Sequence, residues 1–273
     1  MSSLRVHPSM ERGSAMRPTL RAGAFLFLTF AAGVNASAQT HPYDHVHLAA
    51  PEPATAVAWY RAHLGAQPGD LPDRVQFGKT IFAFSQSATA QPSEGSAVDH
   101  IGLSFANLEA KVKELEAAGA KVVTPLREVP GLFKLAFVQD PFGVKLELVE
   151  DPELLGFHHI HIRVPNPEAA LAWYMQMFGG ERSKLKGRID AVKYTDPDVW
   201  LLAQKADGAP RSQGRAIDHL GWRAANIDGK IAELKQKGVN ITGEPRDVRD
   251  LRIAFVEDPS GVRIELVRRP AGK

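Results

Sequence analysis

The chain has 273 residues, 44% of them hydrophobic and 23% charged, which suits one large folded core or two of ordinary size and is too apolar for a disordered chain. The formal charge of +2 owes much to residues 1–38, where Arg5, Arg12, Arg17 and Arg21 face only Glu11. The remainder therefore lacks the basic field that neutralises a phosphate backbone, which argues against a nucleic-acid partner. Cysteine is absent, so disulfides, thiolate nucleophiles and Cys-ligated zinc are excluded, and any metal must be held by nitrogen and oxygen.

Residues 1–38 read as a cleavable signal peptide. Arg17 and Arg21 precede the apolar run Ala22 to Val34, and Asn35-Ala36-Ser37-Ala38 offers small residues where a signal peptidase reads them. Cleavage after Ala38 predicts a periplasmic or secreted protein without stable membrane insertion. The run is shorter than the roughly 20 residues of a spanning helix, which disfavours an uncleaved anchor. Met16 is an alternative start, directly before the basic residues.

Beyond the leader, His45 opens a hydrophobic strand that leads into a helix near Pro53 ending in Trp59-Tyr60, followed by a β-type stretch over 80–85. Asp99-His100-Ile101 opens a second strand. Its helix starts near Asn107, places Leu108, Val112 and Leu115 on one face, and closes at Gly119. Further β-type stretches follow, the last of them after the Asp140-Pro141-Phe142-Gly143 turn and carrying Glu147. After Asp151 to Gly156 the pattern repeats: residues 45–65 match 159–179, 97–122 match 216–241, and 136–150 match 254–268. The repeat predicts an α+β chain of two domains, 43–150 and 157–270, each made of two βαβββ units. The DPxG turns and the Trp-Tyr pairs read as structural.

Four strand histidines, His45, His100, His159 and His219, with Glu147 and Glu265, suggest two copies of a site of two imidazoles and one carboxylate. Such a donor set leaves coordination positions on a divalent ion for a substrate that chelates through oxygen, and is compatible with Fe, Mn, Zn or Ni. His47 and His161 lie two residues beyond the first ligand of their units, so strand alternation puts them on the same face, where they could orient or protonate a substrate. Alternation points Asp44, Asp99 and Asp218 away from that face. Arg163 receives no role.

The strand histidine before a helix ending in Trp-Tyr, then DH(I/L)G, then DPxGVxxE, in that order and in two copies, resembles the vicinal oxygen chelate superfamily: glyoxalase I, bleomycin-resistance proteins, fosfomycin-resistance enzymes and type I extradiol dioxygenases. The resemblance covers nearly all of 43–268. It implies paired units curled around a cleft, a divalent metal, a small-molecule substrate, and a fold that allows a homodimer. Carried over residue by residue, it implies His45, His100 and Glu147 for one site and His159, His219 and Glu265 for the other. The alternative pairing groups His100 and Glu147 with His159 and uses the same six residues.

The chain departs from both better-known reaction templates. Phe137 and Phe255 stand where the dioxygenase signature has tyrosine, and 127–135 and 246–253 contain no histidine. The proton-shuttling glutamate of glyoxalase I is also missing; the nearest polar residues are Ser85, Gln86 and Gln204, of which Gln86 and Gln204 match each other. An exported, metal-dependent dioxygenase or lyase/isomerase is the leading expectation. The alternative is a bleomycin-resistance-like protein that binds without catalysis. Differences between the copies, such as His47 against Gly102 and the loops near Arg74 and Arg188, also allow only one of the two to be active.

Overall fold

The computed structural model describes residues 39–270; the predicted leader lies outside them. Four βαβββ units follow one another. The first runs β1 (Tyr43–Ala50), α1 (Pro53–Leu64), β2 (Gln67–Pro68), β3 (Arg74–Phe77) and β4 (Thr80–Gln86). The second runs β5 (Val98–Ser104), α2 (Leu108–Ala117), β6 (Lys121–Glu128), β7 (Lys134–Gln139) and β8 (Lys145–Val149). The third runs β9 (Gly156–Val164), α3 (Pro167–Phe178), β10 (Glu181–Leu185), β11 (Ile189–Tyr194) and β12 (Val199–Lys205). The fourth runs β13 (Ile217–Arg223), α4 (Ile227–Gln236), β14 (Asn240–Val248), β15 (Leu251–Glu257) and β16 (Arg263–Arg268). Asn107, Asn166 and Asn226 cap α2, α3 and α4, each accepting a backbone N–H three residues on.

The units pair across the sequence repeat rather than within it. One eight-stranded sheet has the order β14-β15-β16-β13-β1-β4-β3-β2 and the other β10-β11-β12-β9-β5-β8-β7-β6. Unit one thus shares a sheet with unit four, and unit two with unit three. The short 151–156 segment brings β9 back beside β5, antiparallel to it, while the longer connections over 87–97 and 206–216 carry the chain from one sheet to the other. These two crossings bind each other, with Gln91 N–H donating to Gly214 and Ala216 N–H to Gln91.

Alternation along the central strands separates two environments. Val46 and Leu48 of β1, Ile160 and Ile162 of β9, Leu146 and Leu148 of β8, and Ile264 and Leu266 of β16 all enter one main core, while the histidines and glutamates between them face the opposite side. The Trp-Tyr and DPxG motifs hold this core together. The Tyr60 hydroxyl donates to Asp140 at 2.8 Å and that of Tyr174 to Asp258 at 3.1 Å, while each aspartate accepts two backbone N–H groups of its own turn. Each contact ties one sheet to the other. Gly143 and Gly261 take φ of 91° and 90°, as those turns require.

Candidate metal centres

The structure groups the predicted site residues by sheet. His45, His47, His219 and Glu265 form one cluster, and His100, His159, His161 and Glu147 the other; within each, one donor atom per residue lies within 4.8 Å of all the rest. Of the two pairings open from the sequence, the one joining His100 and Glu147 to His159 is observed. His45 therefore stands with His219 and Glu265, not with His100 and Glu147.

Within the second cluster, Glu147 Oε2 lies 3.0 Å from His100 Nε2 and 3.1 Å from His159 Nε2, and His161 Nδ1 lies 3.1 Å from His100 Nε2. In the first, Glu265 Oε2 lies 2.9 Å from His219 Nε2 and 3.4 Å from His45 Nε2, and the His47 ring packs 4.4 Å from that of His219. Donors at right angles around an ion at ~2.1 Å stand about 3.0 Å apart, so these spacings match neighbouring ligands of one metal. His45 Nε2 is also buried without a hydrogen bond, as a nitrogen awaiting an ion would be. The residues fit a divalent metal.

Two glycines make room for the rings. Gly102 and Gly221, the last residues of DHIG and DHLG, sit opposite His159 and His45 in the antiparallel ladders. A Cβ on either would lie 2.2 or 2.1 Å from the facing imidazole. The motif glycine is thus the floor on which the other unit's histidine lies.

The same ladders locate the missing carboxylates. Glu265 is in register with Gly221, and Glu147 with Gly102. By the approximate two-fold symmetry of each sheet, the corresponding positions pair with His47 and His161, and these are Ala83 and Leu202. Each half-site that lacks the glutamate therefore carries a second histidine. Register also aligns Gln204 with Ser85, through Arg163 and Ala49, correcting the apparent match with Gln86.

The residue before each strand histidine does not point away. Asp44 Oδ1 accepts from His45 Nδ1 at 2.8 Å, and Asp99 and Asp218 accept from His100 and His219 at 2.7 Å. The cause is a strand irregularity: the ladder skips Asp44, Asp99, His158 and Asp218 in turn, so each occupies a bulge that re-aims its side chain. An Nδ1–H bound to carboxylate fixes the tautomer and leaves Nε2 free to ligate. The fourth case is different. His158 Nδ1 lies 2.8 Å from His159 Nδ1, and His158 Nε2 lies 3.2 Å from Asp151 Oδ2, so His159 reaches a carboxylate only through a second imidazole.

Burial alone would raise the carboxyls of Glu147 and Glu265, yet the facing histidines hold both well below the ordinary range. Burial would lower His45, but Asp44 and Glu265 raise it to about 9, and His100 is raised by Asp99 and Glu147 in the same way. His47 and His161 are pushed well below 6.5 by burial and by neighbouring histidines, so both are neutral imidazoles with a lone pair to offer.

The clusters open into cavities of unequal size. That of the second centre is about 650 Å³ and walled by Leu132, Phe133, Leu135, Phe137 and Leu202; that of the first is about 360 Å³ and walled by Ile81, Val248, Leu251 and Phe255.

Comparison with known proteins agrees with this geometry. The family model described as "Glyoxalase/Bleomycin resistance protein/Dioxygenase superfamily" matches residues 43–148 and 156–266. A lactoylglutathione lyase of Neisseria meningitidis is 30% identical over 125 residues, 42% of this chain and 91% of the relative. The metallothiol transferase FosB of Staphylococcus epidermidis is 27% identical over 118 residues, 42% of this chain and 82% of the relative. Glyoxalase I from Zea mays superposes with a TM-score of 0.66 at 18% identity, covering 84% of this chain and 92% of that one. A putative dioxygenase from Bacillus subtilis gives 0.58 at 18% identity, covering 85% and 86%. Two family matches over four βαβββ units, with histidines and a glutamate gathered on each sheet, have one reading: the chain belongs to the glyoxalase/bleomycin resistance protein/dioxygenase superfamily.

Proposed function

We propose that the protein is an exported, metal-dependent enzyme with two centres, each held by three histidines and one glutamate: His45, His47, His219 and Glu265 in one, His100, His159, His161 and Glu147 in the other. The observation that carries this reading is the mutual approach of four donor atoms to within 4.8 Å, in both copies, on the cavity face of each sheet. His47 and His161, expected to orient or protonate the substrate, act here as ligands: the neutral His161 has its Nδ1 3.1 Å from His100 Nε2, and the neutral His47 has a nitrogen within 4.8 Å of the other donors of its cluster. A divalent metal held by three neutral imidazoles and one carboxylate keeps a charge of about +1 and supplies Lewis-acid polarisation of a chelated substrate.

The chain's own residues do the rest. The apolar walls, Phe137 and Leu135 in one cavity and Phe255 and Ile253 in the other, limit water around the substrate. Asp99 and Asp218 hold two of the ligands in the competent tautomer. Because Ala83 and Leu202 replace the second carboxylate, no glutamate stands there to shuttle a proton as in lactoylglutathione lysis. Phe137 and Phe255 likewise stand where the dioxygenase signature has tyrosine, so polarisation of the chelated substrate is the step these residues support, and experiment separates oxygenation from isomerisation.

Export rests on the sequence of residues 17–38, which lie outside the described residues. The first contacts of the described chain, Thr40 Oγ1 accepting from Gly180 N–H and His41 N–H donating to Phe178, lie just beyond the predicted cleavage point.

Metal analysis of mature protein purified without chelators tests the reading, with His45→Ala, His159→Ala and the double variant alongside. Two ions per chain, one in each single variant and none in the double are expected; full metal content in the double variant would sink it. Oxygen consumption across a catechol panel then separates oxygenation from isomerisation or simple binding.

A further inference from the structure

Arg163 is a cavity-facing residue that the metal centre leaves unused. It stands on β9 two residues beyond His161, so His159, His161 and Arg163 project in turn into the larger cavity. Its register partner on β12 is Gln204, which lines the same cavity. The corresponding pair beside the smaller cavity is Ala49 and Ser85, so this polar shelf exists at one centre only.

Of the other cations near the centres, Arg127 and Lys205 also line the larger cavity but are exposed, and the rest are committed. Arg269 spans both oxygens of Asp44 at 2.6 and 2.9 Å, Arg263 binds Asp218 at 2.7 Å, and Arg74 binds Asp70 at 3.1 Å. Lys145 lies 3.1 Å from both Glu94 and Asp99. Arg163, by contrast, has one long side-chain contact, 3.7 Å to Asp99; its Nε is buried without a hydrogen bond, as are those of Arg74 and Arg263, whose outer nitrogens are held by Asp70 and Asp218. A guanidinium offers five donors in a planar fork suited to a carboxylate, and an unmet buried donor favours a ligand that meets it.

We propose that Arg163, with Gln204 beside it, is the anion receptor of the larger centre. The substrate of that centre is then a small chelator carrying a carboxylate apart from its metal-binding oxygens, with an apolar body against Phe137 and Leu135. The smaller centre, with Ala49 and Ser85 at this place, does not select for the second anionic group. The inference rests on the metal-chelation reading above and adds the substrate class to it.

The test compares catechol with 3,4-dihydroxybenzoate, which adds one carboxylate to the same chelating pair. Binding to cobalt-loaded protein is followed by calorimetry and by the visible spectrum of the metal. At least about a tenfold preference for the carboxylated probe is expected in the wild type, the factor that one charge-assisted contact supplies. Arg163→Ala should lose the preference while keeping metal content and catechol affinity, and Arg163→Lys should retain part of it. Equal affinity for both probes in the wild type, or a preference that survives in Arg163→Ala, overturns the assignment of Arg163 and leaves chelation standing. Failure of either probe to perturb the metal spectrum overturns the chelation reading and this inference with it.

Discussion

The two centres share their donors but differ in what stands behind them. At the first, His45 leans on Asp44, which is gripped by Arg269 and Arg223. At the second, the matching histidine, His159, leans on His158, which leans on Asp151, which is gripped by Lys186 at 2.8 Å. By the repeat, Asp44 corresponds to His158 and Arg269 to Asp151, so two contacting positions changed together. The carboxylate was moved one step outward rather than lost. A direct carboxylate makes its histidine a stronger donor than an intervening imidazole does, so duplication has kept the donors while letting the outer shells, cavity sizes and anion shelf diverge.

The sharpest way to break this comparison is to remove one glutamate at a time. Glu147→Gln should empty the second centre and Glu265→Gln the first, each lowering metal affinity by more than the ~10–100-fold cost of an outer-shell loss. Metal counts per chain decide it, and a variant that loses both ions would show the centres to be coupled. Next in size is the exchanged pair. His158→Asp alone sets a second carboxylate against Asp151 and should weaken the second centre by about 10–100-fold, while adding Asp151→Arg should restore it. Competition with a chromophoric chelator reads this out, and additive losses would contradict the compensation.

Smaller effects follow from the glycine floors. Gly102→Ala and Gly221→Ala each force an imidazole aside and should cost about 1–3 kcal/mol in denaturant unfolding, with metal lost from the facing centre only. Equal metal loss from both centres would deny the independence of the two floors. The smallest effect concerns a feature both copies share. Burial raises Asp140 and Asp258 to about 6, against ~4 for an unfolded aspartate, so the folded state binds more protons than the unfolded one between these values. Stability from these groups is therefore present at low pH and lost as pH rises through about 6. Asp140→Asn and Asp258→Asn should each remove a pH-dependent loss of the order of 1–2 kcal/mol, seen as a flatter profile of unfolding free energy between pH 4 and 7. Unchanged profiles would mean that the Tyr60 and Tyr174 hydroxyls satisfy an ionised carboxylate in full.

Most of the site was legible because its residues are repeated. A histidine at the same place in four units, and a glutamate at the end of two, stand out from any background of lone histidines, and period-two alternation placed His47 and His161 on the same face. What misled was the same alternation applied to Asp44, Asp99 and Asp218: a bulge of one residue reverses a side chain, and nothing in the local sequence marks it. The close grouping of His47 and His161 with the other donors was likewise hidden, since it depends on strands that meet only in the folded sheet.

The sequence by itself determined the four units, their order, the donor types and the absence of a second carboxylate, because these follow from periodicity and residue identity alone. Tertiary structure decided which units meet, which glycine receives which histidine, and which arginine of the larger cavity keeps only a long contact to its carboxylate. Those depend on contacts between strands far apart in the chain, where both pairings bury the same residues and only the packing of whole sheets and the reach of their connections separate them.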